Sequence, residues 1–131
     1  MKRKLAFVLL FVLLICLCAA CGGEPGWIYD LPNGYTLHCV DGSVCCEQNG
    51  EQALGYGIRA FCTGSRFIGI RRERGTQTGT ETDYYLLDTE ENEIYSAQDE
   101  SEFKDLCESL GAADLGDWID TARRPKGASH N

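Results

Sequence analysis

The sequence predicts an α+β domain, an antiparallel sheet of five or six short strands with one C-terminal helix packed on a face, preceded by an apolar helix that is cleaved off as a signal. Three observations predict it. Asp41-Gly42 stands between two runs that alternate apolar and polar residues, and both central residues of the favoured hairpin turn need positive φ, which this dipeptide supplies. Further short runs rich in Tyr, Ile, Phe and Leu follow as far as Tyr95, each bounded by Gly, Asn, Asp or Ser. Phe103, Leu106, Cys107 and Leu110 then recur at i, i+3, i+4 and i+7, one helical stripe.

Leu31-Pro32-Asn33-Gly34 is a turn that delivers the chain into a strand at Tyr35–Val40, and Ser43–Glu47 returns from the Asp41-Gly42 turn. In that register Cys39 faces Val44 and Leu37 faces Cys46, so these four share one side, with Thr36, His38 and Cys45 on the other. Gln48-Asn49-Gly50-Glu51 is a polar connection. Tyr56–Cys62 is the next strand, turned by Thr63-Gly64-Ser65 into Arg66–Arg71. Residues 75–80 read as a flexible polar loop, because none of them can pack. Asp83–Leu87 follows, and Asp88 to Asn92 turns it into Glu93–Tyr95. Asp99 caps the helix, with Glu102 placed to bond back to the N–H of the cap, and Gly111 ends it in a position that tolerates a left-handed backbone. The stripe is expected on the sheet face of Ile58, Ile70 and Leu86. Leu115, Trp118 and Ile119 form a further short turn. The resulting organisation is a signal at residues 1–20, a tether at 21–29, the α+β domain at 30–120 and a disordered tail at 121–131.

The amino terminus is more specific. Lys2-Arg3-Lys4 precedes an uncharged apolar run, Leu5 to Leu17, and small residues then lead to Cys21. Leu5 to Ala20 spans about 24 Å as a helix, short of the roughly 30 Å core of a bilayer, so it inserts easily but spans poorly, as a signal peptide does. Leu17-Cys18-Ala19-Ala20-Cys21 resembles the lipobox of bacterial lipoproteins, with Cys18 where an aliphatic residue is usual. The resemblance implies cleavage before Cys21 and a diacylglycerol on its thiol, with an N-acyl chain such as palmitate as a further option. Small residues at Cys18 and Ala20 also suit ordinary signal peptidase, so plain secretion is the next alternative and an uncleaved anchor the last.

Removing residues 1–20 of 131 leaves 111, enough for one modest core. Lys2, Arg3 and Lys4 go with the signal, which leaves nine of the 12 basic residues against 20 acidic ones, a formal charge of −11. Phosphate-backbone binding needs clustered positive charge, so nucleic acid is excluded as a partner. Of eight cysteines, Cys16 and Cys18 leave with the signal and Cys21 carries the lipid, so Cys39, Cys45, Cys46, Cys62 and Cys107 remain. An odd number leaves one unpaired in any intramolecular scheme. A bridge from Cys39 to Cys45 or Cys46 and a set of small buried thiols are the two options.

His38, Cys39, Cys45 and Cys46 are four soft ligands close in sequence and the only metal candidates. Alternation along a strand sends neighbours to opposite faces, so at most two or three converge, and no metal is expected. The adjacency of His38 and Cys39 is likewise not catalytic geometry. Arg66, Arg71, Arg72 and Arg74 are a candidate binding patch for an acidic partner; the competing explanation, which is favoured, is a charge complement with Glu73, Glu81, Asp83 or Asp88 across the sheet. Carboxylates are plentiful but no pair is marked out for acid–base work, and no phosphate-cradling glycine loop or Gly-x-Ser-x-Gly is present, so no enzyme is expected and no catalytic residue is assigned.

The stretches Asp30-Leu31-Pro32-Asn33-Gly34-Tyr35, Arg66-Phe67-Ile68-Gly69-Ile70, Tyr84-Tyr85-Leu86-Leu87-Asp88 and Phe103-Lys104-Asp105-Leu106 resemble those of small uncharacterised lipoproteins of Gram-positive bacteria, a domain family of unknown function. The resemblance implies a module anchored in the bilayer by lipid on the outer face of the cell membrane. Together these features predict a non-enzymatic, monomeric protein- or envelope-binding lipoprotein, protective against a toxin or lytic enzyme in one version. The alternative is a cysteine-based redox or metal-handling surface module.

Overall fold

In a computed structural model that describes residues 26–130, ten strands form two five-stranded antiparallel sheets, with one α-helix among the described residues. The fold class is α+β. The signal segment, Cys21 and residues 22–25 of the expected tether lie outside the described residues. Sheet A takes the order β10-β1-β2-β3-β4, built from β1 (Trp27–Asp30), β2 (Tyr35–Val40), β3 (Ser43–Gln48), β4 (Glu51–Leu54) and β10 (Ser129–His130). Sheet B takes the order β8-β7-β6-β5-β9, built from β5 (Ile58–Thr63), β6 (Phe67–Thr76), β7 (Gly79–Asp88), β8 (Glu93–Ala97) and β9 (Ile119–Asp120). The helix, α1 (Glu100–Leu110), packs on β7 and β8.

The expected single sheet is divided between β4 and β5 at Gly55-Tyr56-Gly57. Gly57 adopts φ +105°, and a Cβ there would stand 2.4 Å from the carbonyl oxygen of Glu73. Only glycine permits this close passage, which carries the chain from one sheet to the other.

Sheet B is therefore a middle layer, apolar on both faces. Leu37, Cys39, Val44 and Cys46 from sheet A meet Ile58, Phe61, Ile68, Ile70 and Leu87 from sheet B in the inter-sheet core. On the far side Phe67, Leu86 and Ala97 pack against Phe103 and Ala112, flanked by Leu106, Cys107, Leu110 and Trp118. The helical stripe is as the sequence predicts, but of the sheet residues assigned to it only Leu86 is correct. Ile70 stands opposite Tyr85 and Leu86 opposite Gly69, so they point to different faces. A register shift between Ile58 and Ala60 puts Ile58 on the inter-sheet side as well.

The first hairpin has the predicted register, with Leu37 opposite Cys46, His38 opposite Cys45 and Cys39 opposite Val44. Its turn has φ 52° at Asp41 and 76° at Gly42. The same geometry recurs at Asn49 and Gly50, so the expected polar connection is a second hairpin leading into β4. The expected loop at 75–80 belongs to a long β6–β7 hairpin paired from Phe67↔Asp88 to Thr76↔Gly79. Asp99 accepts the N–H of Glu102 at 2.8 Å. Glu102 bonds back one residue earlier than expected, accepting the N–H of Gln98 at 2.9 Å, and Gly111 caps the C-terminus at φ 75°.

Two boundaries need correction. Residues 27–29 are not tether but belong to β1, with Trp27 in the inter-sheet core. Residues 121–130 are not a disordered tail. Thr121 is buried and its hydroxyl donates to the Ile58 carbonyl at 2.8 Å. Ala128 enters the inter-sheet core, and β10 pairs with β1 through Trp27↔His130 and Ile28↔Ser129. With β9 on sheet B and β10 on sheet A, the C-terminal segment edges both sheets.

Candidate functional site

The four arginines do not share one surface. Arg66, at the turn before β6, clasps Asp88 with Nε donating to Oδ1 at 2.8 Å and Nη2 donating to Oδ2 at 2.6 Å, and Glu90 stands 3.5 Å from Nε. Arg74 lies on the long hairpin, where Nη2 meets Glu81 at 2.8 Å and Nε meets Asp83 at 3.1 Å. Arg72 lies over the ring of Tyr85 at 5.8 Å, and its Nε is the buried side-chain polar atom without a hydrogen-bond partner among the described residues. Arg71, one residue earlier on β6, points to the opposite face in register with Tyr84. Glu81, Asp83 and Asp88 are thus the cross-strand partners that the sequence offered, and Glu73 instead meets Arg59 at 3.4 Å.

Asp88 is the best-built charged group. Besides Arg66 it accepts the N–H groups of Glu90 and Glu91 at 3.1 and 3.3 Å. The Arg66 hydrogen bond, helped by these amides, holds its carboxyl below the usual aspartate range. The neighbouring Thr89 hydroxyl donates to the Arg66 carbonyl and accepts from Asn33 Nδ2 at 2.8 Å. This polar cluster closes one end of the sandwich, joining the turn before β2 to the β7–β8 turn. Sequence reasoning missed Asn33 and Thr89. The one available signal was the polar Asn and Thr within turns, which is common.

His38 and the three hairpin cysteines divide as alternation requires. Cys39 and Cys46 enter the inter-sheet core, and burial pushes the Cys46 thiol up to about 12. His38 and Cys45 lie on the outer face of sheet A. There His38 Nε2 is 2.9 Å from Thr36 Oγ1 and 3.0 Å from Glu47 Oε2. The Cys45 thiol is raised chiefly by burial and hydrogen-bonds Tyr56. A thiol held protonated in this way is a poor nucleophile and a poor metal ligand. Among the described residues no group of three or more His, Cys, Asp or Glu is placed to hold a metal ion.

Two cavities among the described residues bear on a site. One of about 460 Å³ lies beside the long hairpin, lined by Arg74, Glu81, Thr82, Asp83 and Gln98. Arg74 is shared between both carboxylates there, which leaves the lining with one net negative charge. The other, of about 300 Å³, lies between α1, β5 and residues 112–118, with Phe103, Trp118 and Leu115 as apolar walls and Cys62 and Cys107 among its lining. Neither cavity was anticipated from the sequence.

These features define a small two-sheet α+β domain with a helical cover. The chain matches no protein-family model, no curated protein and no solved structure.

Proposed function

We propose that the protein is a lipoprotein moored by Cys21 to the outer face of the cell membrane, where its domain binds a protein or envelope component without catalysing a reaction. The observation that carries the proposal is the basic, apolar and small-residue succession that ends at Cys21. A two-chain lipid, at about 0.8 kcal/mol per buried methylene, would hold such a domain stably. With β1 starting at Trp27, residues 22–26 span at most about 18 Å. The Asp41-Gly42 end of the sandwich is then nearest the bilayer and the Arg66–Asp88 end farthest from it. Lipid on Cys21 is the covalent attachment, and no cofactor is required.

Two features of the domain support binding rather than chemistry. The carboxylates beside the arginines are taken up in ion pairs. The outer face of sheet A, which no described helix covers, presents Val40 and Tyr56 to solvent near His38 and Glu47. Protection against a toxin or lytic enzyme is the version that suits a small acidic module at this address. The burial of Cys39 and Cys46 on one side of sheet A, with Cys45 on the other, argues against a redox or metal module built from those three.

Mass spectrometry of the processed protein tests the anchor, and crosslinking from intact cells tests the binding. Acylated Cys21 and one partner recovered above background are expected. An unmodified Cys21 on protein released to the medium removes the anchor. A repeatedly empty crosslink, or recovery that Val40→Lys and Tyr56→Ala leave unchanged, removes the binding role of that face.

A further inference from the structure

We propose that Cys62 and Cys107 are a thiol–disulfide pair whose oxidation staples α1 to β5 and closes the cavity between them. The two sulfurs come from elements far apart in sequence, yet both line the same apolar cavity of about 300 Å³. Both are reduced in the structure. Cys62 is on the floor, buried on the helix-facing side of β5. Its sulfur lies over Gly69, where an added Cβ would stand 2.5 Å from Sγ and 3.1 Å from Phe103. Cys107 is half-buried, one helical turn beyond Phe103 and in the last turn before the Gly111 cap. Burial pushes the Cys62 thiol up to about 12, with charge on Cys107 adding to the shift, and burial raises Cys107 as well.

The remaining thiols lie in other layers. Cys39 and Cys46 are in the inter-sheet core, and Cys45 is beneath Tyr56 on the outer face of sheet A. Among the described cysteines, Cys62 and Cys107 are therefore the pair that faces across from sheet to helix. A disulfide holds its two Cα atoms about 4.4–6.8 Å apart. Forming it draws the final turn of α1 towards β5, and the cavity supplies the space that this movement takes up. The dithiol state leaves the cavity open beside Trp118, and the disulfide state shuts it.

The exchange balances with a small-molecule disulfide as oxidant. At alkaline pH, where these raised thiols begin to ionise, Cys107 attacks as thiolate one sulfur of the oxidant, forming a mixed disulfide and expelling one thiolate. Cys62, as thiolate, then attacks the Cys107 sulfur and expels the second. The two protons given up by the cysteines go to the two expelled thiolates, and the electrons from the pair reduce the oxidant's S–S bond.

The test treats the full chain in detergent at alkaline pH with oxidised glutathione, blocks the remaining thiols with N-ethylmaleimide and maps the linked peptides. The expected product is an intramolecular Cys62–Cys107 linkage in most of the protein. A change in Trp118 emission, reversed by dithiothreitol, should accompany it. Cys107→Ser should abolish both while keeping the wild-type far-ultraviolet spectrum, and Cys62→Ala gives the same check should that variant not fold. Glutathione left on Cys107, a different pairing as the main product, or no linkage under excess oxidant would overturn the proposal.

Discussion

Arg66 and Asp88 meet through two parallel hydrogen bonds of 2.8 and 2.6 Å, and the aspartate side of the pair is buried while the arginine is partly open to solvent. Asp88 also caps the turn after β7 through two backbone amides, so one carboxylate organises both the ion pair and the turn. Charge-assisted, forked contacts of this kind are stronger than neutral ones.

Asp88→Asn keeps the size of the side chain and removes its charge. We expect a loss of about 2 kcal/mol, roughly 10 °C in melting temperature for a domain near 100 residues. The pH dependence has a definite sign. Since folding lowers the Asp88 pKa from its ordinary value near 3.8, the stabilisation is complete above that value and disappears as pH falls through the lower folded one. Wild type and variant should differ fully at neutral pH and converge as pH falls below the lowered Asp88 value. Thermal melts across that range check it, and a gap that persists in acid would show that the charge is not its source.

Gly69 lies where the helix-side aromatics press on sheet B. A Cβ there would press on Cys62 Sγ, on Phe103 at 3.1 Å and on Trp118 at 3.4 Å. Gly69→Ala should therefore cost about 1–3 kcal/mol by overpacking, although alanine favours a strand backbone over glycine. Adding Cys62→Ala takes away the nearest obstacle. Denaturant titration should show the double variant more stable than the sum of the single losses, a coupling of 0.5 kcal/mol or more in approximate terms.

The helix start gives a smaller, cleaner effect. Asp99 is exposed, and its carboxylate accepts the Glu102 amide, so Asp99→Ala changes the cap with little change in packing. A loss of about 1 kcal/mol is expected, with Asp99→Ser close to wild type. Chemical denaturation of the three proteins side by side decides it.

How far the sequence foretold this fold depends on whether local chemistry or long-range contact decides each part. The Asp41-Gly42 register and the α1 boundaries were legible because their turn and cap residues act within a few positions. Strand β4 was missed despite Asn49-Gly50, since Glu51-Gln52-Ala53-Leu54 offers little alternation and Leu54 alone is buried. The outer part of the β6–β7 hairpin has no apolar residue between Glu73 and Thr82 and is held by strand pairing. The division into two sheets turns on the passage of Gly57 past Glu73, which no local pattern announces. Ion-pair partners of Arg66 and Arg74 were legible as cross-strand carboxylates. The cavity between Cys62 and Cys107 was not, because it is the gap left where helix, strand and a following coil meet.

The C-terminal segment provides the sharpest test of what composition conceals. Arg123-Arg124-Pro125-Lys126-Gly127 is polar and turn-rich, the usual mark of a dispensable tail at 121–131, and deleting it together with Ile119 and Asp120 would then cost little. In the structure that deletion removes β9 and β10 from the two sheets, Thr121 from its bond to the Ile58 carbonyl, and Ala128 from the inter-sheet core. Arg124 also fastens the segment on itself, Nε donating to the Ala128 carbonyl at 3.1 Å while Nη2 bonds the same oxygen. Truncation after Trp118 should therefore leave β1 and β5 as open edges, which are sites for misassembly, and expose Trp27. We expect the truncated domain to be cleaved by trypsin under conditions that spare the full chain, and to aggregate on concentration. A milder version separates the two ends. Ala128→Asp places an unpaired charge in the core and should destabilise by about 2–4 kcal/mol. A shortening to residue 127 that matched wild type in melting temperature would show that the pairing of β10 contributes nothing to the stability of the fold.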